Sequence, residues 1–188
     1  MARIGFKKAK YNKIVGDKYD SQVKEFEKVI DEKFAPEYNS AELYANDGLA
    51  ETDYSFKKGT LSVTVVDDED EFIANLFGNT VADEGEVTSN ISDTAPEFGY
   101  GHIVPKVVGG VKKFKAEFFP RVKWTKVTTD NKTRGESVEF GTTALEGTVL
   151  PLEKDFNGFK EGDWEKHQTF ATYAEAENYL DGLLTPVA

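Results

Sequence analysis

Between Lys112 and Thr125 the chain alternates apolar and charged residues, and no other segment restricts the fold so tightly. Phe114, Ala116, Phe118, Pro120, Val122 and Trp124 take the even positions. Lys113, Lys115, Glu117, Phe119, Arg121 and Lys123 take the odd ones. Period two is the side-chain repeat of a β-strand, so the pattern predicts a strand with one apolar and one mostly charged face. At about 3.3 Å per residue the run would reach roughly 45 Å, beyond the common strand length. Pro120 has no N–H to give to a ladder and predicts a bulge or an edge position that splits the run. On this reading Lys113, Lys115, Arg121 and Lys123 share one solvent face as a single basic patch.

Further strands follow from the same repeat. Leu61, Val63 and Val65 alternate, and Gly101 to Val108 reads likewise. Val138 to Leu150 changes phase, and Gly141 or Gly147 is the expected place of a bulge. Ala41–Ala45 and Ala50–Phe56 flank Asn46-Asp47-Gly48, a strong hairpin signal. Residues 2–15 and 20–30 suggest an opening hairpin or ribbon. Two helices are expected. In the first, Asp67 or Asp68 caps a turn rich in acids, Phe72, Ile73, Leu76 and Phe77 form one face, and Gly78 ends it. In the second, Thr172 and Glu175 make a capping box ahead of the stripe Tyr173, Ala176, Leu180, Leu183 and Leu184. The fold class expected is mostly β (β+α), a sandwich or barrel-like domain with one flanking and one C-terminal helix. It is read as a single domain over 1–188, with a hairpin loop at 45–58 and a mobile loop at 79–97.

Charge is segregated along the chain. Residues 61–105 carry ten acids and no Lys or Arg, and residues 106–134 carry nine bases against two acids. Two arrangements answer to this: the blocks neutralise each other within one molecule, or copies dock head to tail with acid against base. The whole chain has a net charge of −11, unsuited to general binding of nucleic acid. Phe114, Phe118, Phe119 and Trp124 interleave the basic block but read as core, so single-strand binding is the lesser reading.

Catalytic and metal motifs are missing. Cysteine is absent, which excludes disulfides, thiolate zinc sites and a thiol nucleophile. His102 and His167 lack a second ligand at zinc spacing and read as surface or hydrogen-bonded structural residues. Neither a nucleophile elbow nor a phosphate or dinucleotide loop occurs. Asp155, Asn157, Gly158, Glu161 and Asp163 depart from the spacing of a calcium loop and read as a polar turn. No catalytic residue, cofactor or metal is therefore expected. The N-terminal residues have no apolar signal region and no apolar run reaches membrane-spanning length, so the chain reads as soluble and made in the cytoplasm.

Several segments in order resemble the major tail proteins, or tail tube proteins, of long-tailed phages that infect Gram-positive bacteria. They are Arg3-Ile-Gly-Phe-Lys-Lys-Ala-Lys-Tyr-Asn-Lys-Ile14, Leu43-Tyr-Ala-Asn-Asp-Gly48, Gly59-Thr-Leu-Ser-Val-Thr-Val-Val66 and Asn75-Leu-Phe-Gly78. Phe98-Gly-Tyr-Gly-His-Ile-Val104, Phe118-Phe-Pro-Arg-Val-Lys-Trp124 and Thr142-Thr-Ala-Leu-Glu-Gly-Thr148 follow. The resemblance covers most of the chain and is weakest over 79–97. It implies a tail tube fold whose subunits close into hexameric rings, stacked as the hollow conduit for DNA ejection. The implied place is the virion, after synthesis in the host cytoplasm. The implied partners are further copies of the chain, the tape measure and tail terminator proteins, and DNA only in transit, with no membrane. The subunit-interface residues expected are Asn46, Asp47, Gly48, Asp68, Asp70, Lys113, Lys115, Arg121 and Lys123. The rival reading is a monomeric β-sandwich module that binds carbohydrate or protein, and an enzyme is the third class.

Overall fold

The structure, a computed structural model, describes residues 2–3, 5–26, 28–45, 48–66, 69–130 and 141–187. It is mostly β. In chain order the strands are β1 (Ala2–Arg3), β2 (Lys8–Val15), β3 (Lys18–Tyr19), β4 (Lys24–Phe26), β5 (Val29–Ala45) and β6 (Gly48–Val65). After helix α1 (Asp70–Phe77) come β7 (Thr80–Val81), β8 (Val87–Thr88), β9 (Glu97–Val108), β10 (Val111–Asp130), β11 (Thr142–Val149) and β12 (Lys166–Phe170). Helix α2 (Tyr173–Leu184) closes the chain. One antiparallel sheet has the spine β3-β2-β9-β10-β11-β6-β5, with β1, β4 and β12 added at its margins, and β7 and β8 form a small ladder of their own.

The spine is β10, and Pro120 decides its shape. Against β9 the register runs regularly from Val111↔Val108 to Phe119↔Tyr100, then resumes at Val122↔Phe98. Three steps on β10 thus meet two on β9, a bulge of one residue. On its other edge β10 pairs with β12 from Phe114 to Phe118 and with β11 from Val122 onward. Pro120 falls between those two partners, where its missing N–H leaves no gap in a ladder. Its carbonyl accepts a hydrogen bond from the Tyr19 hydroxyl at 2.8 Å.

The bulge corrects the expectation of one continuous apolar face. An inserted residue reverses which side each later side chain takes. Ala116 and Phe118 therefore pack on one side with Ile103, Leu152, Phe156, Phe159 and the buried residues of α2. Phe119, Val122 and Trp124 pack on the other with Tyr11, Phe26, Leu61, Val63, Phe98, Tyr100, Leu145 and Val149. The sheet thus has a core on each face. Within β11 Thr143, Leu145, Gly147 and Val149 are buried in unbroken alternation, and Val138 and Phe140, the start of the expected phase change, lie outside the described residues. The irregularity there lies on β10, between Trp124 and Lys126, and not at Gly147. Gly147 serves the packing instead, because a Cβ on it would lie 3.0 Å from the Trp124 ring.

Helix α2 covers the second core. Its capping box forms as the sequence predicts, with Thr172 accepting from the Glu175 N–H at 3.3 Å and Glu175 accepting from the Thr172 N–H at 3.1 Å. Ala176, Leu180 and Leu184 are buried, and Tyr173 and Leu183 pack beside them. Lys10 is buried yet paired, with Asp181 at 2.5 Å and Glu177 at 3.2 Å, which ties the helix to β2. The last carbonyls of α2 are received by side chains from outside the helix: Asn12 donates to Leu184 and Asn157 to Thr185. Asn157 and Gly158 both have positive φ and join Phe156 to Phe159 as a tight reversal, so this polar stretch is a turn.

Helix α1 differs from expectation at its start. Glu69 occupies the cap position without a side-chain cap bond, and Asp67 and Asp68 lie outside the described residues. Gly78 ends it in the left-handed conformation, its N–H on the Ala74 carbonyl. The stretch 79–97 carries the β7–β8 ladder and its own hydrogen bonds. Asn79 donates to Asp93 at 2.9 Å, and the same carboxylate accepts the Asn90 N–H at 2.7 Å.

Candidate assembly surfaces and a buried charge network

The β5–β6 hairpin is far longer than its predicted parts. Its register runs from Val29↔Val65 to Ala45↔Gly48, and β6 pairs with β11 only from Gly59 to Val65. Among the described residues, 37–45 and 48–58 therefore have only each other as ladder partners. This corrects the expected loop at 45–58, because Ala45 and 48–58 are strand. Nine residues at about 3.3 Å make a ribbon of roughly 30 Å. Tyr38 and Tyr54 on it are 52% and 65% exposed, so it leaves large rings in solvent. A two-stranded ribbon alone is marginally stable in water. Gly48 is the first residue of β6, and Asn46 and Asp47 lie outside the described residues.

At the base of that hairpin β5 crosses over β9 and β10 and completes a buried polar chain. Tyr100 donates to Glu32 at 2.7 Å. The other Glu32 oxygen lies 3.0 Å from His102 Nδ1 as an ion pair, outside hydrogen-bond alignment. His102 Nε2 donates to Glu117 at 2.8 Å, and Glu117 also accepts from Lys115. Phe6 stacks on the imidazole at 5.7 Å between ring centres. Burial pushes the imidazolium down, and Glu32 and Glu117 more than reverse this, so His102 titrates at about 9. Burial likewise pushes the Glu117 carboxyl up, but hydrogen bonds from His102 and Lys115 hold it well below the usual range. The chain ties three strands together by charge, in a region where an unpaired ion would be costly. A crevice of about 560 Å³ opens beside it, walled by Phe34, Phe119 and Trp164.

The four bases expected as one patch are divided between the two sides of the sheet. Lys113 and Lys115 precede the bulge and take the face of Tyr100, while Arg121 and Lys123 follow it and take the opposite face. Lys115 is engaged with Glu117, and Arg121 with Glu97 at 2.8 Å and Glu153 at 2.7 Å. Lys123 stands across the ladder from Glu97. Asp70 is the exposed first residue of α1. Among the described residues Arg121–Glu97 is the ion pair that joins the acidic and basic blocks.

Sequence reasoning assigned no role to Glu32 or Tyr100. The period-two pattern does put His102 and Tyr100 on one face, and Glu117 stands out among lysines. Glu32, 70 positions before His102, carries no local signal, since only the closure of the hairpin over β9 delivers it. His167 is exposed, 2.8 Å from Glu165. No group of three metal-ligating side chains occurs among the described residues, nor any helix long and apolar enough to cross a membrane. In comparisons with known proteins, no family model matches the chain and no curated protein matches it.

Proposed function

We propose that this chain is a structural subunit of a phage tail tube, polymerising as stacked hexameric rings into the conduit for DNA ejection. The observation that carries the reading is the ribbon 37–58, whose outer edges find no lateral strand partner among the described residues. A neighbouring copy can supply them, because unpaired strand edges invite pairing with another chain. The order of family-like segments and the net negative charge point the same way, since an acidic conduit does not hold phosphates back. Tape measure and tail terminator proteins are the further partners on this reading, and DNA only passes through.

Concentrated purified protein, viewed by negative-stain electron microscopy and sized by chromatography, is expected to form rings or tubes of uniform width. Strictly monomeric behaviour up to millimolar concentration would refute the proposal. The aromatic-walled crevice beside Glu117 favours a second reading, a monomeric binding module. That reading predicts a compact monomer in the same images.

A further inference from the structure

The end of the sheet at the β9–β10 turn gathers cations. Lys106 and Lys113 are directly opposite each other in the ladder, and Lys112 is next to Lys113. On the other edge of β9, Arg3 of β1 is the register partner of Lys106. Like charges opposed across strands destabilise a sheet. No acid pairs with Lys106 or Lys113 among the described residues; Lys112 reaches only the Phe114 ring, 5.7 Å away. Near the other end of β10, which itself carries Lys126, exposed acids gather. Asp70, Val87 and Ser89 line the same cleft as Val127 and Thr129. The turn between β7 and β8 adds Asp83, Glu84 and Glu86, all exposed. Lys113 and Thr129 are sixteen positions apart on one strand, roughly 50 Å at 3.3 Å per residue. Among the described residues, a lysine cluster thus lies near one end of the longest strand and an acidic cluster near the other.

We propose that the Lys106–Lys112–Lys113 end docks on the acidic end, Asp70 with the Asp83–Glu86 turn, of a second copy. This contact fixes the polarity of stacking and rests on the assembly reading above. Repulsion of like ends excludes head-to-head pairs, and opposite ends attract at every added layer.

The test compares wild type with Lys106→Glu/Lys113→Glu, with folding checked by circular dichroism. Wild-type tubes with about tenfold less assembly by the variant support the contact. Recovery of tubes when that variant also carries Asp83→Lys/Glu84→Lys supports it further. A second measurement does not depend on charge reversal. Because the chain has no cysteine, Val111→Cys/Glu84→Cys forms a disulfide-linked ladder of copies on oxidation only if the two ends meet. Normal tubes from the charge-reversed variant, or wild-type-like tubes of the cysteine variant without a ladder, overturn the contact while the assembly reading stands. No tubes from wild type overturn both. Steeply salt-dependent binding of wild type to a 30-base-pair DNA duplex, lost in the lysine variant while tubes persist, overturns the contact in favour of nucleic acid.

Discussion

Replacing His102 by Gln removes the cation that joins Glu32 on β5 to Glu117 on β10. In the native chain the imidazole titrates at about 9 against an ordinary 6.5. A shift of that size corresponds to about 3 kcal/mol of stabilisation by the charged form. The folded-state value is the raised one, so the contribution is complete below pH 6.5 and disappears as pH rises through 9. Glu117 acts at the opposite limit: its folded-state value is lowered, so its contribution is present above its ordinary value of 4.5 and is lost as pH falls through the folded value. Urea unfolding at intervals from pH 6 to 10 reads the first effect. Wild type is expected to lose about 3 kcal/mol over that range beyond any loss shared with His102→Gln. The variant is expected to be less stable at pH 6 by about 3 kcal/mol, because the cation between Glu32 and Glu117 is lost and Lys115 alone stays on Glu117. Parallel stability curves for the two proteins from pH 6 to 10 would show that the imidazole carries no net charge in the fold, and the reasoning fails.

Gly101→Ala is expected to cost about 1–3 kcal/mol in chemical unfolding, since its Cβ would overlap Leu180 and lie 3.0 Å from Phe118 in a filled core. A loss below a few tenths would mean that α2 is free to shift. Thr172→Ala removes one half of the capping box and should lower stability by about 1 kcal/mol, with Thr172→Ser recovering most of it. Gly158→Ala places a side chain at φ +84 and should cost about 1–2 kcal/mol, whereas Asn157→Gly should change stability far less; equal effects would contradict the turn geometry. Hydrogen exchange should find the amides of 37–45 and 48–58 weakly protected in the isolated subunit and strongly protected in tubes, and equal protection in both states would count against the ribbon as an assembly element.

What the chain determined locally was legible where a few neighbouring residues suffice. The Thr172–Glu175 box, the left-handed Gly78 and the period-two strands arise from contacts within one turn or one pleat. Pro120 announced an irregularity for the same reason, a missing donor. Its consequence was not local. Whether the bulge takes up one residue depends on β9, and the change of partner depends on β12 and β11, strands more than twenty positions away in the chain. Only that tertiary register sent Phe118 and Trp124 to opposite cores and divided Lys113 and Lys115 from Arg121 and Lys123. The charge network has the same origin. Glu32 resembles any other acid in an acidic chain until β5 folds across β9 and withdraws it from water, and burial beside His102 then turns an ordinary carboxylate into a clamp. Periodicity is a property of successive residues, whereas facing, burial and pairing belong to strands brought together from distant parts of the chain.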